Sequence, residues 1–174
     1  MICYIGIGSN LGDREQNITR ALELLKASSG LDLERLSPVY ETEPWGPVKD
    51  QGDYLNLVAQ VRWERGPGDL LRAIKGIERD MGRSSGQVWG PRSIDLDLLY
   101  FGVQVVQEDG LSIPHPRIPE RFFVLKPMSD LAPGWKDPRT NETIDEMLKA
   151  LAGEGRWKKY GGAFLKKAWA RYQS

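Results

Sequence analysis

Trp89-Gly90-Pro91-Arg92-Ser93-Ile94-Asp95-Leu96-Asp97-Leu98-Leu99-Tyr100 holds a strand and its chemistry in one stretch. After the Gly-Pro turn, Ile94, Leu96 and Leu98 alternate with Ser93, Asp95 and Asp97. A period of two belongs to a strand, on which residues two apart share a face. Asp95 and Asp97 therefore point the same way, with Cα atoms about 6–7 Å apart. Two carboxylates so placed can reach one hard cation or bridge two, leaving oxygen positions for water and phosphate. The bland alternative is a solvated acidic face on an edge strand. Against it, Leu98, Leu99, Tyr100 and Phe101 continue as a buried strand does, and a buried pair of like charges needs a cation or arginines to answer it. Arg92 stands just upstream. Carboxylates for a metal, an arginine for phosphate oxygens and a glycine-rich loop are the parts that phosphoryl transfer uses.

Working back from this strand, Gly82 to Gly90 is a loose loop that brings Arg83, Trp89 and Arg92 toward the acids. Before it, Pro67-Gly68-Asp69 opens a helix with Leu70, Leu71, Ile74, Ile77 and Met81 on one stripe. Lys75, Glu78 and Arg79 lie off that stripe, where a solvated face is the default. Tyr54 to Trp63 alternates as a strand, with Tyr54 and Asn56 on its mixed face. The Pro- and Gly-rich run from Glu43 to Asp53, around Trp45, is long enough to be a lid. Leu33 to Thr42 reads as one strand and Ile2 to Ile7 as another. A turn through Gly6, Gly8, Asn10 and Gly12 leads from the latter to a helix capped by Asp13. Leu11 fills the slot of the third glycine of a dinucleotide fingerprint, and a turn fixed locally by Asn10 is the simpler reading.

Working forward, Val103 to Val106 reads as a hairpin partner, and the prolines around His115 keep Leu111 to Arg117 extended. His115 is equally suited to a ligand contact or a structural hydrogen bond. Pro119 to Leu125 holds a short helix and Thr143 caps a last one. The order strand, helix, strand, strand, helix, strand is the ferredoxin-like split βαβ plan. The fold class is α+β: a βαββαβ core, an antiparallel sheet with helices on one face and the other free for a site, plus C-terminal additions. Residues 1–152 form the catalytic domain in this reading, and 153–174 a basic, aromatic, helical tail.

Equal numbers of Lys+Arg and Asp+Glu, 24 each, give no electrostatic footprint for nucleic acid. One cysteine and one histidine exclude an internal disulfide, a Cys-cluster metal site and the two-histidine zinc motif. With no apolar run long enough to cross a bilayer and no basic-then-apolar leader, a cytoplasmic protein without a membrane partner is expected, as is a monomer. No Walker glycine loop occurs, so phosphates would be held by arginines and metal.

Five motifs carry a resemblance. The stretch quoted first, Gly6-Ile7-Gly8-Ser9-Asn10-Leu11, Asp53-Tyr54-Leu55-Asn56, Ile113-Pro114-His115-Pro116 and Arg121-Phe122-Phe123-Val124 together resemble the 6-hydroxymethyl-7,8-dihydropterin pyrophosphokinase family, over roughly Met1 to Leu151. The resemblance implies transfer of a diphosphate from ATP to the hydroxymethyl group of the pterin, with two Mg²⁺ ions held by Asp95 and Asp97. It implies that Tyr54 and Phe123 sandwich the pterin, that Asn56 reads its edge, and that backbone groups of Thr42, Pro44 and Trp45 line the same pocket. Lys75, Glu78, Arg83, Trp89, Arg92, Leu98, Ser112, His115 and Arg121 match positions near the nucleotide. Arg83 and Arg92 join the two acids as catalytic groups. Ser84 to Gln87 and Gly110 stand where relatives often carry arginines, so weaker nucleotide binding is expected. Two rivals remain: a glycosyltransferase using Asp-x-Asp, and a ferredoxin-like RNA-binding module with Tyr54 and Phe123 as stacking platforms.

Overall fold

The alternating runs assemble into a six-stranded antiparallel sheet in the computed structural model, which describes residues 1–82, 90–151, 155–162 and 164. Strand β1 (Ile2–Ser9) is central, with β4 (Tyr54–Trp63) on one side and β5 (Asp95–Phe101) on the other. Two short strands, β2 (Leu31–Leu36) and β3 (Tyr40–Thr42), both pair with β4 where a single strand was expected. The break falls at Ser37-Pro38, because proline has no N–H to give a ladder. Ser37 maintains the pairing there: its N–H donates to the Val58 carbonyl and its Oγ accepts from Val58 N, both at 2.9 Å.

Helices α1 (Arg14–Ala27) and α2 (Pro67–Asp80) cover one face of the sheet. Cys3, Ile5, Ile7, Leu55, Leu57, Leu96 and Leu98 turn toward that face and pack with Ile18, Leu22, Leu25, Leu70 and Ile74. Each buried side chain of this kind contributes about 1.5–3 kcal/mol. Slipping β5 by one residue would expose its whole apolar row, so the core fixes which way Asp95 and Asp97 face.

The other face, expected to be free for a site, is partly covered. Helix α3 (Phe122–Leu131) runs past the anticipated end at Leu125, through Pro127, and follows a 3₁₀ turn at Ile118–Glu120. Helix α4 (Ile144–Ala150) starts at Thr143, whose hydroxyl accepts from Glu146 N while Glu146 Oε2 accepts from Thr143 N at 2.7 Å. With Tyr4, Val58, Leu99 and Tyr100, these helices form a second core. A register shift opposite Tyr4 and Ile5 makes Leu99 a bulged residue, so both Leu99 and Tyr100 reach that core.

The hairpin after β5 lies later than expected: β6 (Val106–Glu108) pairs with β7 (Leu111–Ile113) around Gly110, and Val103 and Val105 are exposed. In the tail, expected to be helical, Trp157–Lys159 is a strand, β8, on the outer edge of β3. The expected division at 152/153 and residues 165–174 lie outside the described residues.

Candidate active site

Where α3 and α4 leave the second face uncovered, the strands present two rows. Asp95, Gly8 and Asn56 stand side by side across β5, β1 and β4, and Asp97, Gly6 and Val58 form the next row. The glycines make a floor without side chains between the acids and Asn56. A Cβ on Gly8 would lie 2.7 Å from Asn56 Oδ1.

Both acids are answered by cations. Arg92 Nη1 donates to Asp95 Oδ1 at 2.8 Å, and Arg121 Nη1 to Asp97 Oδ2 at 2.9 Å. Lys75 Nζ lies 3.9 Å from Asp97 Oδ1 and His115 Nε2 4.0 Å from its Oδ2. Burial pushes the Asp97 carboxyl upward, but His115, Lys75 and Arg121 outweigh it and hold the group below the usual carboxylate range. Burial lowers the His115 pKa, which Asp97 only partly restores. His115 Nδ1 accepts from Arg117 N at 3.2 Å, so the neutral ring carries its proton on Nε2, toward Asp97.

Asn10 does more than the expected local turn. Its Oδ1 accepts from Arg92 N at 2.7 Å and its N–H donates to the Arg92 carbonyl at 3.0 Å. Its Nδ2 donates to Gln51 Oε1 and the Gly52 carbonyl, each at 3.0 Å. One buried amide thus joins the segment carrying Arg92 to the loop after β3.

Two cavities of about 330 Å³ each meet at Asp97, which lines both. The first brings together Tyr54, Asn56, Phe123, Thr42 and Trp45 with Arg92, Asp95 and Arg121. Asn56 Nδ2 donates to Thr42 Oγ1 at 2.8 Å, which fixes the amide and turns its oxygen toward Gly8 and the cavity. Trp45 leans on Phe123, ring centroids 6.4 Å apart, and the Arg121 guanidinium lies 5.4 Å from the Trp45 centroid. Pro44 lines an adjoining hollow and accepts from Lys49 Nζ at 2.7 Å. The second cavity holds Lys75, Leu98, Ser112 and His115, with Gly110 in its wall at φ +75°.

Arg121 lines the first cavity rather than the second. Glu78 lines neither: it is 2% exposed, and its Oε1 accepts from Leu96 N at 2.6 Å and Lys75 Nζ at 3.1 Å. Arg83 and Trp89 lie outside the described residues. Arg117 and Gln51, which no motif marked, also line the first cavity.

Among the described residues, no group of three or more His, Cys, Asp and Glu side chains could hold a metal unaided. The donor set still fits magnesium, which is commonly held by one or two carboxylates and takes further oxygens from phosphate and water. Arg121 Nε is buried and has no hydrogen-bond partner among the described residues, a donor in reserve beside Asp97.

Residues 4–133 match the profile of the family described as 7,8-dihydro-6-hydroxymethylpterin-pyrophosphokinase (HPPK). The chain is 35% identical over 161 residues to the 2-amino-4-hydroxy-6-hydroxymethyldihydropteridine pyrophosphokinase of Bacillus subtilis (strain 168), covering 92% of this chain and 93% of that one. Against the protein of the same description from Synechocystis sp. it is 35% identical over 153 residues, covering 88% and 77%. Among solved structures, wild-type HPPK-DHPS of Plasmodium falciparum matches with a TM-score of 0.69 and 18% identity, over 86% of this chain and 44% of that one. This last likeness shows the fold, and the chain spans less than half of that structure's length.

Proposed function

The chain belongs to the 7,8-dihydro-6-hydroxymethylpterin-pyrophosphokinase family, and from that premise we propose how its residues move a diphosphate from ATP to the hydroxymethyl group of 6-hydroxymethyl-7,8-dihydropterin, releasing AMP and yielding the pterin diphosphate for folate biosynthesis. The observation that carries the reading is Asp97 at the seam between two cavities, one walled by rings and one by Leu98, Ser112 and His115. The first takes the pterin and the second the nucleoside end of ATP, so the triphosphate crosses the acids.

On the pterin side, Tyr54 and Phe123 offer faces for the flat ring, and Asn56 offers its oxygen to the ring's N–H edge. Thr42, Pro44 and Trp45 close that side. Arg92 and Arg121 then hand their donors from the acids to phosphate oxygens, the role for which planar guanidinium groups are suited. Arg83 and Trp89 add to the same nucleotide contacts. Lys75, Leu98, Ser112 and His115 hold the nucleotide, and Glu78 acts by holding Lys75 and the Leu96 backbone. Asp95 and Asp97 hold Mg²⁺, as two ions, which when bound neutralise triphosphate charge. The protein's share is to bring the pterin hydroxyl into line with the β-phosphorus and keep both partners still.

No described helix is long and apolar enough to cross a membrane. The proposal is of a monomeric cytoplasmic enzyme acting on two small molecules. The test is product identity. Incubated with Mg²⁺, ATP and the reduced pterin alcohol, the chain should release AMP in step with pterin diphosphate. ADP as the nucleotide product, or no pterin-dependent turnover, contradicts the proposal.

A further inference from the structure

The tail strand borders the pterin side, and Arg156, the residue just before it, touches both feet of the loop that runs from β3 to β4. Glu43, the first residue of that loop, donates its N–H to the Arg156 carbonyl at 3.1 Å. Asp53, the last, receives Arg156 Nη2 at 3.1 Å on each carboxylate oxygen. Trp45 and Gln51, between these feet, line the first cavity.

The strand that follows extends the hold. Thr42, Glu41 and Tyr40 pair in register with Trp157, Lys158 and Lys159, and Tyr160 N donates to the Val39 carbonyl at 2.8 Å. Lys158 Nζ reaches Glu41 Oε2 at 2.7 Å. The Trp157 ring lies 4.9 Å from that of Phe122, the neighbour of Phe123, and 5.7 Å from that of Tyr40. These contacts border the ring-lined cavity; none touches the residues of the second one.

We propose that Arg156 and strand β8 are positioning elements for the pterin: they fix the loop that carries Trp45 and so set affinity for the pterin without acting on the nucleotide. This rests on the first cavity's being the pterin site. Arg156 is exposed, its side chain 75% accessible, and exposed pairs are worth little, so its effect is modest. The strand's contribution is larger, because losing its ladder releases the outer edge of β3 as a whole.

The test uses the full chain with Arg156→Ala, Arg156→Lys and Lys158→Pro, measuring KM for each substrate, pterin binding by its fluorescence, and hydrogen exchange across residues 43–53. Arg156→Ala should raise the pterin KM about two- to five-fold, with the ATP KM unchanged and exchange in the loop accelerated. Arg156→Lys should fall between, and Lys158→Pro should exceed both. Unchanged pterin binding and loop exchange in all three, or an equal rise in both KM values, overturns the tether. Wild-type chain that binds no pterin instead overturns the assignment of the cavity on which the tether rests.

Discussion

Asn56 and Asp95 stand in one row across the sheet, paired to opposite sides of Gly8. With strands about 4.8 Å apart, their Cα atoms are separated by about 10 Å. The group proposed to read the heterocycle and a group proposed to hold the cation are thus set on adjacent ladders of one sheet. Their spacing is a property of the fold rather than of any loop.

Gly8 itself is the first test. A methyl there would lie 2.7 Å from Asn56 Oδ1, so the amide must turn away and its bond to Thr42 must stretch or break. Gly8→Ala should raise the pterin KM about tenfold, the worth of one hydrogen bond at the upper end of its usual range. Substrate titrations should show the ATP KM nearly unchanged. A loss confined to ATP would place Asn56 on the wrong side.

Glu78 offers a second. Leu96, whose N–H it accepts, lies between Asp95 and Asp97, so this buried carboxylate anchors the middle of the acidic strand. Glu78→Ala leaves that N–H and Lys75 without it and should destabilise the fold by about 2–3 kcal/mol. Glu78→Gln keeps an acceptor for Leu96 N and should lose less. Urea unfolding checks both, and equal stability of the two variants would contradict the anchoring role.

Glu78 also shows where the sequence stops being legible. Asp95 and Asp97 could be placed because a period of two is written in β5 itself, and Tyr54 with Asn56 for the same reason. Glu78 sits off its helix's apolar stripe, and only the approach of β5 to α2 buries it. Asn10 looked local because its partners, Arg92, Gln51 and Gly52, are distant in the chain. The break at Ser37-Pro38 was there to be read in the proline. The reach of α3 was hidden by Pro127, a residue that argues against a helix interior. Strand β8 has three exposed residues and no alternation, so nothing in it announces its partner.

His115 gives the pH dependence. Its pKa is lowered by burial and partly restored by the Asp97 charge. The folded state therefore disfavours the imidazolium, and this group withdraws stability as pH falls through the ordinary histidine range, in which the unfolded chain takes up the proton first. It is the protein's one histidine, so its NMR signal is unambiguous. In metal-free protein the midpoint should lie below 6.5, the usual histidine value. Asp97→Asn should move it lower still, and an upward shift would contradict the contact.

Asn10 can be divided by chemistry. Asn10→Asp keeps an acceptor for Arg92 N but loses the donor to Gln51 and Gly52. Asn10→Ala loses both. Activity assays should show Asn10→Ala the weaker enzyme, with kcat/KM down about ten- to a hundredfold for the three side-chain hydrogen bonds lost. If Asn10→Asp is equally impaired, the loop link rather than the Arg92 link carries the effect.

The central proposal is that Asp95 and Asp97 together hold the two Mg²⁺ ions beneath the phosphates at the meeting of the two cavities. It is tested most directly by the pterin-dependent release of AMP from Mg-ATP by Asp95→Asn and Asp97→Asn, each shown by circular dichroism to keep the wild-type fold. Each single change should lower kcat by about a thousandfold or more, the several kcal/mol a bound metal supplies. A folded variant of either residue that turns over at the wild-type rate would contradict the account.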